Sequence, residues 1–382
     1  MKNLWEDAKA SECKSDLDMR VYSSNLLGQS SELVLHGGGN TSVKSRVEGK
    51  EILYVKGSGW DLVSIKAEGF APVKMATLLE MAKRKNLSDT DMVSGQKAAM
   101  IDATAPNPSV EAILHALIPF KVVDHTHADA VVTISNSRHG KEMIEKLYPN
   151  FLIVPYVMPG FILAQKIYEM TKDGFDWDAC EGIILHNHGI FTFDDDVKRS
   201  YDKMIEAVSR AEDFLEEHAK VVLDEMEPVD FKLDDLKIDK YMHVNQTPLA
   251  LHYASQENLR EKVTRGVLTP EHIIRTKRVP LVVEDGDVED ALRDYRVGYE
   301  AYFNAYKTDE IMLDSNPKYA VIKNFGVVTF GKSQKEAEMI NDIVEHTMMA
   351  VLRADKLGGY KSISIADSFA MEYWELEQAK LK

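Results

Sequence analysis

A seven-residue pattern occurs twice in this chain, and it limits the architectures open to it. Asn187-His188-Gly189-Ile190-Phe191-Thr192-Phe193 lines up with Asn324-Phe325-Gly326-Val327-Val328-Thr329-Phe330, with four of seven positions identical. At both places a strand-like run, a Gly, a second strand-like run and a long helical pattern follow in order. One reading is a partly duplicated unit whose second copy has lost its histidine. The other is that strand–turn–strand–helix units often look alike. Either way the pattern predicts mixed α/β layers.

The rest of the chain alternates similarly. Residues 1–30 read as helical, with Leu17, Val21 and Leu26 near a helical period. Two strand–Gly turn–strand segments follow, SELVLHGGGNTSVKS and EILYVKGSGWDLVSI. Residues 70–85 suggest a helix started by Pro72, and Pro108 and Ser109 stand where a helix start tolerates both. His125 and His127 fall in an apparent strand, and FLIVPYVMP and CEGIILHNHGIFTFD are further strand candidates. A long helix is expected from the acidic triplet at 194–196, whose charge suits the helix dipole. Residues 223–247 are charged and aperiodic and read as a linker. A helix near 254–264, a strand near 272–284, a helix over about 287–307 and a helix from Lys335 to Arg353 complete the pattern. With 382 residues, two domains are expected. We place a catalytic domain at 1–225 and a C-terminal α/β extension, or degenerate second unit, at 226–382.

Charge narrows the partners. Lys and Arg total 46 against 62 Asp and Glu, a net charge of −16. Such a chain repels a phosphate backbone, so nucleic acid and anionic membrane are not expected as partners. A small phosphorylated substrate stays open, because local donors outweigh net charge inside a pocket. Cys13 and Cys180 form no disulfide framework and read as reduced, which predicts a cytoplasmic protein. No run of about 18 apolar residues predicts a membrane span. The first residues lack the apolar core of a signal peptide.

Three features carry chemistry. His125 and His127 are two apart, and side chains at i and i+2 of a strand share a face. His186 and His188 repeat that spacing. Three imidazoles with a fourth position open form a common catalytic zinc arrangement. Strand-end histidines held by backbone carbonyls are the plainer alternative. Asp124 and Asp129 flank the first pair, as partners that fix the ring tautomers or as solvated turn residues. Glu111 precedes a run that is otherwise apolar (Ile113, Leu114, Leu117, Ile118), with His115 one turn later. Buried there, its carboxyl would have a raised proton affinity and serve as a general base. Exposed, it would only complement the helix dipole. The third feature is a set of small-residue turns, Gly37-Gly38-Gly39-Asn40-Thr41-Ser42 and Gly57-Ser58-Gly59, together with Ser109. Backbone N–H groups in such turns can approach an anion closely. None matches a dinucleotide or Walker fingerprint.

The order HGGGNTS, KGSG, PSVEAILH, HTH, HNHG resembles the class II (zinc-dependent) sugar-phosphate aldolase and adducin family over about residues 17–220. The remainder, through TPEHIIRTKRVPL and MEYWELEQAKL, is similar to the aldolase half of bifunctional rhamnulose-phosphate aldolase/dehydrogenase proteins. No Rossmann fingerprint is present, so hydride chemistry is not expected. The resemblance implies a three-layer α/β/α fold around a mostly antiparallel sheet. It also implies Zn²⁺, or another divalent ion, on His125, His127 and His188, with Glu111 as acid/base. Phosphate contacts carry over to Asn40, Ser58, Gly59 and Ser109. The implied reaction cleaves a ketose 1-phosphate, such as rhamnulose 1-phosphate, to dihydroxyacetone phosphate and an aldehyde. Superfamily relatives act as epimerases or dehydratases, and an adducin-like scaffold is the non-catalytic alternative. Val110 replaces the second Ser of the family's usual P-S-S-E, removing one phosphate-binding hydroxyl. The extra His186 is expected to face away, since a catalytic site keeps one position open. A homo-oligomer is implied as well, with Lys277 near a substrate mouth.

Overall fold

The structure, a computed structural model, describes residues 1–236, 238, 241–284 and 287–378. The chain divides into two compact units, each described here by itself. The first comprises Met1–Val132 and Lys141–Asp213; the second comprises Thr133–Gly140 and Phe214–Lys382. The second unit therefore takes in a short segment from the middle of the first 225 residues. There Asn136 donates to the Leu268 carbonyl at 2.8 Å, and the Arg138 N–H donates to the Gly359 carbonyl at 2.9 Å.

Seven strands form the sheet of the first unit: β1 (Asn40–Val47), β2 (Lys50–Lys56), β3 (Phe70–Lys74), β4 (Val122–Thr126), β5 (Phe151–Val154), β6 (Gly182–Leu185) and β7 (Gly189–Asp194). Their spatial order is β3-β2-β1-β4-β7-β6-β5, and every pair is antiparallel except the parallel β5–β6. This is the mixed α/β fold with a mostly antiparallel sheet. Helix Asp16–Gly28 packs on β1, while helices Met75–Ala82 and Ala112–Leu117 pack on β2.

The local differences from the sequence reading have physical reasons. Pro72 does not start a helix; it lies in β3, at the sheet edge, where a missing N–H costs no ladder bond. The helix follows at Met75. The expected helix at Pro108 begins only at Ala112 and lasts six residues, with Glu111 at its N-cap. The linker read over 223–247 ends in a strand, in which Tyr241, His243 and Asn245 leave only Met242 and Val244 to mark an apolar period. Part of that segment, residues 237, 239 and 240, lies outside the described residues.

The second unit has β8 (Tyr241–Asn245), β9 (Leu281–Val283), β10 (Tyr319–Ile322) and β11 (Gly326–Gly331), in the order β8-β11-β10-β9. Pair by pair this repeats β4-β7-β6-β5: two antiparallel pairs, then a parallel one. The likeness reaches single bonds. Asn187 and Asn324 both take left-handed φ values, 60° and 57°. The Thr192 hydroxyl donates to the Ser200 carbonyl at 3.0 Å, and Thr329 to Ala337 at 2.7 Å. Helices Val197–His218 and Gln334–Lys356 follow in turn. In the latter, Ile340, Val344, Met348 and Val351 are all buried, as their period predicts. The structure thus supports duplication. Because Ile190 pairs with Thr126 and Val327 with Asn245, the registers place Val244, Gln246 and Phe325 where the first unit has His125, His127 and His188. Phe325 is packed in the second core beside Phe231, with ring centroids 5.2 Å apart. Among the described residues no helix is long and apolar enough to cross a membrane.

One buried ion pair fixes β4. Arg20 and Asp124 are both fully buried and meet at 2.6 Å, and Ser200 donates to the same carboxylate at 2.5 Å. Truncating one partner strands the other charge, at a cost of about 3–5 kcal/mol. Arg20→Ala should therefore lower the urea-unfolding stability of the first unit by about that amount. The double change Arg20→Met/Asp124→Leu should recover most of it. A single variant with unchanged stability would contradict this role.

Candidate metal and acid–base site

The site forms where β4 runs between β1 and β7. His125 is on β4, and its partner residues are Asn40 on β1 and Phe191 on β7. Successive strand residues face opposite ways. Asp124 thus goes to Arg20, while His125 faces the site and stacks on Phe191 with centroids 4.1 Å apart. Asp124 is not a partner of the histidines, and Asp129 starts helix Asp129–Ser135. His127 lies just past the end of β4, not within it. Its backbone N–H donates to the Leu33 carbonyl at 3.0 Å. A Cβ on Gly38 would sit 3.2 Å from the His127 ring, so the glycine leaves room for that imidazole.

His186 and His188 are in the turn between β6 and β7, so the strand argument for a shared face does not hold for them. His188 is buried and its ring centroid is 5.2 Å from that of His125. His186 is half-buried and its Nδ1 is 3.2 Å from Asn187 Oδ1. Gly189 must be glycine here, since a Cβ would clash with the Thr126 carbonyl at 2.3 Å and crowd His125. One potential ligand atom from each of His125, His127 and His188 lies within 4.8 Å of the other two.

These residues fit a divalent cation. His125 Nδ1 is 3.1 Å from the Ile190 carbonyl, and an N–H donated there leaves Nε2 as the ring's lone-pair atom. That Nε2 stands only 3.0 Å from His127 Nε2. Burial, with the neighbouring His127 and His188, holds His125 well below the usual imidazole range, so the ring is neutral. Imidazoles converging in this way are a ligand set for a zinc-like ion.

Glu111 is buried, 4% exposed, which removes the dipole-only reading of an exposed carboxylate. Its Oε2 is 3.6 Å from His125 Nε2. A buried chain supports it. The Asn40 side-chain amide donates to Glu111 Oε2 at 2.6 Å, His115 Nε2 meets Asn40 Oδ1, and Ser42 Oγ lies 2.8 Å from His115 Nδ1. Burial, and then the Lys44 and Arg20 charges, push His115 down to about 3, so it stays neutral. Neutral His115 donating from Nε2 orients the Asn40 amide and presents its NH₂ to the carboxylate. The Ser42–His115 link was missed from sequence. The available signal was that Asn40 and Ser42 are i and i+2 on one strand and so share a face.

Asn40 is thus brought to Glu111, while the other expected anion contacts lie on nearby turns. Ser58 and Gly59 are exposed, and the Ser58 N–H donates to the Asn107 carbonyl at 2.9 Å. Ser109 is half-buried, and its hydroxyl accepts from the Glu111 N–H at 3.2 Å. Lys56, overlooked beside the Gly57 turn, donates to the Gly37 carbonyl at 2.8 Å and so ties the two Gly-rich turns together.

His125→Ala, His127→Ala and His188→Ala should each strongly lower bound metal, measured by elemental analysis of purified protein, while His186→Ala should stay near wild type. Metal loss in His186→Ala alone would overturn the ligand assignment. A second expectation concerns acid. The unfolded chain protonates His115 near 6.5, whereas the folded chain does so only near 3. Stability from this group is therefore complete above pH 6.5 and is lost as pH falls toward 3, at about 1.4 kcal/mol per pH unit. The urea midpoint should drop less steeply between pH 6.5 and 4.5 in His115→Gln than in wild type. Parallel curves would contradict a buried neutral His115.

The family described as "Class II Aldolase and Adducin N-terminal domain" matches residues 20–215, and "Aldolase class II, second domain" matches residues 230–381. A curated relative, "Uncharacterized oxidoreductase YuxG" of Bacillus subtilis (strain 168), is 30% identical over 422 residues. That alignment spans 100% of this chain but 60% of the relative's length. The N-terminal class II aldolase domain of a conserved protein from Thermoplasma acidophilum is 41% identical with a TM-score of 0.51. It covers 56% of this chain and 99% of that one. The l-fuculose-1-phosphate aldolase from Thermus thermophilus is 14% identical with a TM-score of 0.33, covering 52% and 95% of the two chains. With one family matched over the unit that carries the three histidines and its second domain matched over most of the rest, the chain belongs to the class II aldolase and adducin family.

Proposed function

We propose that this protein is a divalent-metal aldolase, zinc being the expected ion, that cleaves a ketose 1-phosphate of the rhamnulose 1-phosphate type. The products are dihydroxyacetone phosphate and an aldehyde. The observation that carries this reading is the buried Glu111 carboxylate, 3.6 Å from His125 at the edge of the histidine cluster. An ion on His125, His127 and His188 supplies a Lewis acid for the substrate's oxygens. Glu111 holds or moves the proton at the substrate carbon whose bond is broken or formed. Asn40 fixes the carboxylate that does so, and neutral His115 fixes Asn40. The turn at Ser58-Gly59, with Ser109, would hold the phosphate and so orient the reacting bond. Members of the family with an adducin-like scaffold role are a poor match, because this chain keeps all three histidines and Glu111.

A second reading, an epimerase or dehydratase acting on a sugar acid, is favoured by Val110. It removes one hydroxyl from the expected phosphate pocket, and Ser109 already accepts a bond from Glu111. We further propose a cytoplasmic homo-oligomer, in line with two free cysteines and the family resemblance.

The deciding experiment is a product assay on ketose 1-phosphates and acyclic sugar acids, with and without a chelator. Chelator-sensitive release of dihydroxyacetone phosphate is expected. Turnover of the sugar acids alone would replace the aldolase reading with the second one. Glu111→Gln keeps the side chain's shape and removes the proton acceptor. It should retain metal and lose about 10²–10⁴ in rate. Wild-type turnover in this variant would make Glu111 structural.

A further inference from the structure

The second unit lacks the histidines of the first at the matching positions, yet it holds a buried polar cluster of its own. The cluster is at the start of β9, at the end of its sheet opposite the Phe325 turn, because β9 and β10 are parallel and β10 runs into that turn. It is therefore no remnant of a duplicated metal site.

At its centre is Lys277, 5% exposed, in the segment TKRVP. Its backbone has φ 59° and ψ 177°, a region open almost only to glycine. A structural helix end would take glycine here without strain, and a buried ammonium adds a desolvation cost to the same residue. Both costs fall on one side chain with polar surroundings. Its Nζ lies 3.5 Å from the Tyr299 ring centroid and donates to the Asp314 carbonyl. Tyr299 donates to buried Glu372 at 2.8 Å and is 2.8 Å from the Tyr373 hydroxyl. Beside Lys277, Arg278 keeps a buried Nε donor with no hydrogen-bond partner among the described residues. Burial pushes Lys277 down to about 8, against the pull of Glu372 and Asp314 and with a smaller push from Lys318. It also pushes Glu372 up. Groups whose proton affinities are shifted in this way cluster at functional sites.

The segment 307–318, which has no regular structure, reaches into this cluster with its backbone as well as with the Asp314 charge. The Asp314 carbonyl meets Lys277, and the Leu313 N–H donates to Tyr373 at 3.3 Å. At the same time Ile311 stands 88% exposed. The segment contributes the oxygen acceptor and the donor that a hydroxylated ligand would contribute in its place.

We propose that Lys277, Arg278, Tyr299, Tyr373 and Glu372 form a second small-molecule site, which binds a small hydroxylated anion once the 307–318 segment lifts. Lys277 and Arg278 take the anionic group, bidentate binding being the habit of a guanidinium. The tyrosine hydroxyls and Glu372 take the ligand's hydroxyls. The site shares no residue with the histidine cluster and does not rest on the aldolase reading.

The test is calorimetric titration of the full-length protein with glycerol 3-phosphate and, separately, with glycerate. Wild type should bind one equivalent per chain that Lys277→Met removes, with at least one of the two probes. Whichever probe binds identifies the group as a phosphate or a carboxylate. Tyr373→Phe, which deletes one hydroxyl, should weaken that equivalent about tenfold and carries the test if Lys277→Met does not fold. Acylation of Lys277, followed by peptide mass spectrometry, should slow when the binding probe is present. No Lys277-dependent equivalent with either probe, or identical titrations of wild type and both variants, would overturn the proposal.

Discussion

Everything at the candidate site depends on the register of β4. That strand crosses the sheet between β1 and β7, and its residues alternate between two kinds of burial. Asp124 goes to one side and is neutralised by Arg20, while His125 goes to the other and joins the cluster. A slip of one residue would turn every side chain of β4 to the opposite face, taking Asp124 from Arg20 and His125 from the cluster. The ion pair is thus weak evidence of net stability and strong evidence of register, since its breakage costs far more than its replacement.

The second dependence is on glycine. Gly38 leaves room for the His127 ring, and Gly189 lets the β6–β7 turn approach the end of β4. With these two approaches made, three imidazoles from a strand, its exit and a neighbouring turn share one small volume. Burial and the two neighbouring rings keep His125 neutral. The carboxylate beside them is held by an amide whose orientation is set by a neutral histidine, so the polar interior is connected from Ser42 through to Glu111. Partly connected networks are costly, and fully connected ones rigidify a site.

Much of this was legible in the sequence, where residue type and spacing carry the signal. The long helices at 197–218 and 334–356 follow their apolar periods, and the hairpin before each is marked by Asn, Gly, Thr and Phe. The ligand trio and Glu111 were reached partly through family resemblance, and their convergence is what the sequence could not display. Local readings failed where tertiary placement overrode local preference. Pro72 reads as a helix start and is an edge strand; His186 reads as a strand neighbour of His188 and lies with it in a turn; β8 is hidden by Tyr241, His243 and Asn245. The Arg20–Asp124 pair and the Ser42–His115 link join residues far apart in sequence, and nothing local announces them.

Duplication explains how the second unit keeps the strand order and even the Thr-to-helix bond of the first while Val244, Gln246 and Phe325 stand at the ligand positions. The same packing thus recurs in the second unit without the three imidazoles. The central claim is therefore that one ion per chain sits on His125, His127 and His188. X-ray absorption at the zinc edge of the zinc-loaded full-length protein tests it most directly. The account predicts one zinc per chain with three imidazole nitrogens at about 2.0–2.1 Å and no sulfur. A sulfur-containing shell, fewer than three imidazoles, or a spectrum unchanged in His188→Ala would contradict it.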